Sequence, residues 1–135
     1  TKSSWPVRAA NRFAANLSMR ILVVDDDHDQ REVRTMLLER SGFTTLQAGD
    51  KLTARAMAAQ HHPQCVLLDL RLPTLDDGLE LIRDLKKLDG TVRLLVLTGS
   101  RPQTFDSRPE ARMVDDLLVK PTSTTELIEC LRRHE

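Results

Sequence analysis

Short runs of apolar residues without polar interruptions recur along the chain, separated by longer stretches in which apolar residues follow helical spacing. Such runs are typical of strands that are buried on both faces of a parallel sheet. The pattern predicts five strands, over residues 21–24, 43–48, 65–69, 92–97 and 117–119. The third of them is expected at the centre of the sheet.

The stretches between these strands predict helices. Asp29 followed three residues later by Glu32 resembles a capping box, and Ser123 with Glu126 resembles another. The helix that follows Asp29 is expected to end at Ser41–Gly42, because glycine commonly ends helices. Its residues at helical spacing are Val33, Met36, Leu37 and Arg40, and two further helices are predicted over 52–60 and 79–88.

The segment 101–115 differs from the other connections because it is polar and contains Pro102 and Pro109. Its helix is expected to be short, irregular or broken. The overall alternation is nonetheless β followed by α, five times. That alternation predicts an α/β fold: a doubly wound, five-stranded parallel sheet with helices on both faces.

Composition limits the function classes. A chain of 135 residues suits one domain with one core, and 20 Lys and Arg balance 20 Asp and Glu. With a formal net charge of zero, the protein has no overall positive potential that would attract nucleic acid or an anionic membrane, so neither is an expected partner. The sequence shows no apolar run of membrane-spanning length and no secretory signal, and a cytoplasmic location is expected.

The first 18 residues are interpreted as an extension before a domain that covers 19–135. Apolar residues after Pro6 fall on one helical face, which favours a short amphipathic helix. A disordered leader is the alternative, because chain termini are often loosely ordered. The two cysteines, Cys65 and Cys130, show no metal-ligand spacing and are expected to be small buried thiols.

Polar residues collect where the predicted strands end. The first strand is followed by Asp25 and Asp26, the third ends in Asp69, the fourth is followed by Thr98, and the fifth by Lys120. Parallel strands end at a common edge, which is where open α/β sheets bind ligands. Crowded carboxylates favour a cation, and oxygen ligands without His or Cys favour Mg²⁺.

This set of residues suits phosphoryl chemistry. A carboxylate beside Mg²⁺, a lysine and a hydroxyl can attack phosphorus and form an aspartyl phosphate. The metal and Lys120 would neutralise charge, and Thr98 would donate a hydrogen bond to a phosphoryl oxygen. Asp69 is the predicted nucleophile because it stands alone, whereas Asp25 and Asp26 are adjacent and suited to share the metal.

Four motifs make the chain resemble a response-regulator receiver domain of bacterial two-component signalling. They are ILVVDDD at 21–27, LLDLRLP at 67–73, VLT at 96–98 and VKP at 119–121. Each motif is short, but their order and placement match the family from about residue 20 to residue 133. The resemblance implies that Asp25 and Asp26 are the acidic pair, Asp69 the phosphoacceptor, Thr98 the switch threonine and Lys120 the lysine of the family.

The resemblance implies the CheY-like, flavodoxin-like fold with strand order 2-1-3-4-5. It implies Mg²⁺ held by Asp26, Asp69 and the backbone carbonyl of Arg71, with Asp25 completing the acidic pair. It implies phosphate from a sensor histidine kinase, output to a downstream effector protein or domain, and allows a homodimer. The domain would catalyse only its own phosphorylation and dephosphorylation, so it is not expected to be an enzyme with a separate substrate. A cis bond is expected at Lys120–Pro121.

The chain also departs from the family pattern. The loop from Pro73 to Gly78 is longer by one residue, and Arg71 places a long cation near the phosphoryl site. Leu117 stands where an aromatic switch residue is common, and Lys51 stands where the family usually has glycine. These changes predict an unusual loop, altered dephosphorylation and a weakened switch.

Two alternatives stay open at this point. A haloacid dehalogenase-type phosphatase also uses an Asp nucleophile at the end of a first strand with Mg²⁺, in an Asp-x-Asp-x-Thr/Val motif. Residues 25–29 depart from that motif, because Asp29 stands where Thr or Val belongs. A degenerate receiver that only binds proteins is the other alternative. Intact Asp69, Thr98 and Lys120 argue against it, whereas Leu117 and the longer loop keep it open.

Overall fold

The computed structural model describes residues 19–135, and the prediction about residues 1–18 lies outside them. The strands are β1 Arg20–Val24, β2 Thr44–Ala48, β3 Cys65–Asp69, β4 Arg93–Thr98 and β5 Asp116–Val119. The helices are α1 His28–Arg40, α2 Lys51–His61, α3 Leu75–Leu88 and α4 Thr124–Arg133. Two 3₁₀ turns, Phe105–Ser107 and Pro109–Arg112, lie between β4 and β5.

The five strands form one parallel sheet in the order β2-β1-β3-β4-β5. This confirms the predicted fold class and strand order. β3 is the central strand, and Val66, Leu67 and Leu68 within it are at most 1% exposed. Continuous apolar runs were therefore a direct indication of strands covered on both faces.

Alternate residues of each strand enter two separate cores. Leu22 and Val24 face a core closed by α2 and α3, whereas Ile21 and Val23 face one closed by α1 and α4. Helices thus cover both faces, as predicted. Within the described residues, 19–135, no helix is long and apolar enough to span a membrane.

The two predicted capping boxes have different outcomes. Ser123 accepts a hydrogen bond from the Glu126 amide, and the Glu126 side chain accepts from Ser123, so that capping box is confirmed. The prediction at Asp29 is wrong. Asp27 caps α1 instead, accepting from the Gln30 amide at 3.1 Å, because the helix begins at His28, two residues before the start that a cap at Asp29 would give.

The irregular segment 101–115 is confirmed as predicted: it contains only the two 3₁₀ turns. Phe105 is buried against the core of α2 and α3, and this anchors the first turn. The carboxylate of Glu110, in the second turn, is buried and paired with Arg83 of α3. Two side chains therefore hold the segment against the sheet without a regular helix.

Candidate functional site

The strand register places the predicted site residues at one edge of the sheet. Val24 pairs with Leu68, so Asp25 follows β1 beside Asp69. Hydrogen bonds between backbones continue past the strand ends, since the Lys120 amide donates to the Thr98 carbonyl at 2.7 Å. Asp25, Asp69, Thr98 and Lys120 therefore leave four neighbouring strands at the same edge.

Asp69 makes the central contact of this edge. Its Oδ2 lies 2.7 Å from the Nζ of Lys120, and its Oδ1 accepts a hydrogen bond from the Arg71 amide at 3.1 Å. The Asp69 side chain is 14% exposed and that of Lys120 is 28% exposed. The pair is thus shielded from bulk water yet still reachable by a small molecule.

Asp25 is held differently, in a way that the sequence did not reveal. It is only 1% exposed, and its Oδ2 forms an ion pair with Arg34 of α1 at 2.9 Å. Its Oδ1 accepts from the Asp27 amide at 2.9 Å, and Arg31 donates to its backbone carbonyl at 2.7 Å. Because a buried carboxylate requires a partner, the ion pair with Arg34 compensates the cost of burying Asp25.

The inner face of α1 is therefore partly polar. Val33 and Met36, which contributed to the predicted helical pattern, are 53% and 45% exposed. Thr35 and Leu38 are the buried residues of this helix. An arginine on a helix is normally solvated, so its sequence context alone did not show that Arg34 turns toward the acidic pair.

The donors at this edge fit a hard cation. Asp26 is exposed, and the carboxylates of Asp25 and Asp69 lie on the adjoining strand ends. All are oxygen donors, which is the chemistry that Mg²⁺ prefers. Asp25 is almost completely buried and its oxygens are held by Arg34 and the Asp27 amide, whereas Asp26 is exposed and Asp69 is partly exposed. Asp26, Asp69 and the Arg71 carbonyl are therefore the more accessible direct ligands.

Thr98 lies at the site but has its hydroxyl directed to its own loop. The residue is fully buried, and its Oγ1 donates to the Ser100 carbonyl at 2.7 Å. A phosphoryl group on Asp69 would have to compete with that carbonyl for the hydroxyl. Leu117, at the place of the usual aromatic switch residue, is half-buried against the core of α2 and α3.

The loop after β3 is fixed by the start of α3. Thr74 caps α3, since its hydroxyl accepts from the Asp77 amide at 3.2 Å. A Cβ at Gly78 would lie 1.7 Å from the Leu70 carbonyl oxygen, so only glycine allows this approach. The peptide bonds Leu72–Pro73 and Lys120–Pro121 are both cis, and the second was predicted.

Lys51, at the place of the usual glycine, joins two helices. It begins α2, and its Nζ lies 2.7 Å from Asp77 and 3.1 Å from Glu80, both on α3. The hydrogen bonds that Lys51 donates to the carboxylates of Asp77 and Glu80 raise its pKa. The departure therefore links α2 to α3, the helix that follows the loop after Asp69.

The family model for the response regulator receiver domain matches residues 21–132. Together with the sheet order and the Asp69–Lys120 pair, this match shows that the chain belongs to the response regulator receiver domain family. It is thus a receiver domain of two-component signalling. Asp29, which stands where a haloacid dehalogenase-type phosphatase needs Thr or Val, has a solvated side chain on α1, 99% exposed.

Particular relatives are similar along nearly the same stretch. The chain is 36% identical over 116 residues to the response regulator MprA of Mycobacterium ulcerans (strain Agy99), covering 86% of this chain and 50% of that protein. It therefore spans about half the length of the curated relatives that it matches.

Solved structures give the same result for the fold. A CheY-like receiver domain from Methylobacillus flagellatus superposes with a TM-score of 0.75 at 26% identity, covering 87% of this chain and 99% of that one. CheY4 of Vibrio cholerae superposes with a TM-score of 0.79 at 22% identity, covering 87% and 99% of the two chains, which is a likeness of fold.

Proposed function

We propose that this receiver domain is a phosphorylation switch whose phosphoacceptor is Asp69. The observation that supports this most directly is the 2.7 Å contact between Asp69 and Lys120 at the carboxyl edge of the sheet. A carboxylate that is shielded and next to a fixed cation is suited to attack phosphorus, because the cation offsets charge that builds on the transferred group.

The transfer conserves atoms and charge in a single displacement. A carboxylate oxygen of Asp69 forms a bond to phosphorus while the bond from phosphorus to the donor histidine nitrogen breaks, and that nitrogen leaves with the electron pair. Lys120 stays next to the phosphoryl oxygens. The Arg71 amide, which donates a hydrogen bond to Asp69 Oδ1, keeps the carboxylate oriented during the attack.

Mg²⁺ is part of this proposal. Asp26, Asp69 and the carbonyl of Arg71 would hold it, and it would supply further neutralisation of phosphoryl charge when bound. Asp25 contributes negative charge next to these ligands while Arg34 and the Asp27 amide occupy its oxygens. The metal-site residues predicted from sequence remain predictions.

The proposed partners follow from the family. A sensor histidine kinase would donate the phosphoryl group, and a downstream effector protein or domain would respond to it; homodimer formation and a cytoplasmic location also remain predictions. Output need not depend on an aromatic switch. The competition between a phosphoryl oxygen and the Ser100 carbonyl for the Thr98 hydroxyl would instead move the loop that follows β4.

Incubation with phosphoramidate, a small donor with a P–N bond, tests this proposal. We expect one phosphoryl group per chain with Mg²⁺ and almost none with EDTA, followed by slow loss of the label. A degenerate receiver would remain unlabelled under both conditions. Steady release of phosphate far beyond one equivalent would indicate a phosphatase.

Replacing Lys120 with methionine should slow phosphorylation by phosphoramidate about 100-fold or more, as removal of a fixed charge-stabilising donor does in enzymes. The rate is measured by intact mass at successive times. Lys87→Met removes an exposed lysine of α3 and should leave the rate unchanged. Equal rates for Lys120→Met and Lys87→Met would refute the assigned role.

Arg71 is exposed and lies two residues beyond Asp69. We infer that its long cationic side chain pairs with a phosphoryl group on Asp69 and shields it from water. Arg71→Ala should therefore shorten the half-life of the phosphorylated domain about two- to fivefold, the effect of an exposed ion pair. Decay of the label after the donor is removed gives this half-life, and the same value as wild type would contradict the idea.

A further inference from the structure

Three potential metal ligands meet at the edge of the sheet opposite Asp69. Asp116 is the first residue of β5, while Cys130 and His134 lie at the end of α4. One ligand atom from each of these residues lies within 4.8 Å of the other two. Two elements that are distant in sequence thus bring sulfur, nitrogen and oxygen donors together.

Two of the three distances between these atoms are close to those of a tetrahedral site. Asp116 Oδ2 lies 3.0 Å from His134 Nε2 and 3.4 Å from Cys130 Sγ. Zinc bonds of about 2.3 Å to sulfur and about 2.0 Å to nitrogen and oxygen separate neighbouring ligand atoms by roughly 3.3 to 3.5 Å. Binding would therefore require only small movements of the side chains.

The spacing along α4 also favours chelation. Cys130 and His134 are four residues apart, which places them on one face of the helix, one turn from each other. The same separation supplies paired ligands in helical zinc motifs. Asp116, from the neighbouring strand, closes the third corner, so the site does not depend on a single element.

Burial and hydrogen bonding act in opposite directions on the pKa values of two of the donors. Burial, followed by the hydrogen bond to Asp116, raises the pKa of the Cys130 thiol to about 12, so the thiol keeps its proton until a cation displaces it. Burial by itself would raise the pKa of Asp116, but hydrogen bonds from His134 and Cys130 hold it below its ordinary value. A carboxylate, rather than a neutral acid, therefore faces the site.

Arg133 is the one competing cation beside these residues in the described part of the chain. Its guanidinium lies 3.6 Å from Asp116 Oδ2, and its side chain is 59% exposed. An exposed ion pair of this kind contributes little and is easily exchanged. A divalent ion bound to the same carboxylate would displace Arg133 into solvent.

We propose that Asp116, Cys130 and His134 form a binding site for a divalent transition-metal ion of the zinc class, with water as the fourth ligand. The mixed S, N, O donor set separates this site from the oxygen-only edge at Asp69, which suits Mg²⁺. On binding, the Cys130 thiol loses its proton to solvent and its sulfur bonds to the metal.

Titration of the reduced, metal-free protein with Co²⁺ tests the site, because a thiolate ligand gives cobalt a near-ultraviolet charge-transfer band. We expect this band to saturate at one Co²⁺ per chain and to be abolished by an equivalent of Zn²⁺. Cys130→Ser should remove the band. His134→Ala changes a residue at the end of α4 and should weaken binding more than about 100-fold, beyond the usual cost of an outer-shell change.

Two controls keep the result specific. Cys65→Ala removes the other buried thiol, and Asp69→Asn changes the opposite edge of the sheet; both should retain the band with unchanged affinity. Absence of a saturable band in the wild type would overturn the proposal. So would a band that persists unchanged in His134→Ala, or one that is lost in Cys65→Ala rather than in Cys130→Ser.

Discussion

Gly78→Ala should lower the free energy of unfolding by about 3 kcal/mol or more, at the upper end of what overpacking costs. The added Cβ would lie 1.7 Å from the Leu70 carbonyl oxygen and 2.7 Å from its carbon, so the backbone itself would have to move. Alanine favours a helix over glycine by only about 1 kcal/mol, so the clash outweighs the gain in propensity.

The same change should impair phosphorylation in the fraction that still folds. Leu70 lies between Asp69 and Arg71, and a displaced Leu70 carbonyl would disturb the amide that orients Asp69. Urea unfolding and phosphoramidate labelling measure the two effects. Gly99→Ala is the matched control, because nothing lies within 4 Å of its added Cβ, and its stability should change by no more than about 0.5 kcal/mol. Similar losses for both variants would show that Gly78 is not a close-packing position.

Arg34→Met should destabilise the domain by about 3 kcal/mol without Mg²⁺, because removing one partner leaves a buried charge uncompensated. Asp25 is 1% exposed and would keep only the hydrogen bond from the Asp27 amide on its carboxylate. A bound cation would then replace the lost positive charge. Mg²⁺ should accordingly bind Arg34→Met more tightly than wild type and restore part of the loss by linkage.

Urea unfolding with and without MgCl₂ measures this compensation. Arg55→Met is a suitable control, since Arg55 pairs with Glu80 and Asp84 at the surface and should contribute about 1 kcal/mol or less. The proposed role of Arg34 as the partner of the buried Asp25 is refuted if the Mg²⁺-dependent increase in stability is the same in Arg34→Met as in wild type. It is also refuted if Arg34→Met costs no more than Arg55→Met.

The parts of the fold that could be predicted are those governed by local patterns. Buried parallel strands appear as continuous apolar runs, and parallel register brings their carboxyl ends together. The sequence alone therefore predicted that Asp69, Thr98 and Lys120 lie at the same edge of the sheet. The broken segment 101–115 was also predictable, because proline removes a helix hydrogen bond and clashes with the preceding turn.

The parts that could not be predicted depend on long-range contacts of ordinary residues. Nothing local distinguishes Arg34, which binds Asp25, from the solvated arginines of the other helices. The close approach of Gly78 to Leu70 depends on how α3 packs on the loop after β3. Competition between nearby caps explains the error at the start of α1, where Asp27 rather than Asp29 accepts the capping hydrogen bond.

The cluster of Asp116, Cys130 and His134 at the opposite edge of the sheet could not be predicted for the same reason. Cys130 and His134 have helical spacing, but their third partner, Asp116, lies 14 residues before Cys130 and is brought close only by the packing of α4 beside β5. Spacing along the sequence therefore indicated two isolated thiols. The three-residue cluster becomes visible only with the tertiary structure.

Locating the phosphoryl group on the protein is the most direct test of the proposed function. Wild type and Asp69→Asn are each treated with phosphoramidate and MgCl₂, weighed intact, and then mapped by peptide mass spectrometry. We predict a single added phosphoryl group in the wild type, on the peptide that contains Asp69, and none in Asp69→Asn. Equal labelling of the two proteins, or a phosphoryl group on any other residue of the wild type, would contradict the proposal that Asp69 is the phosphoacceptor.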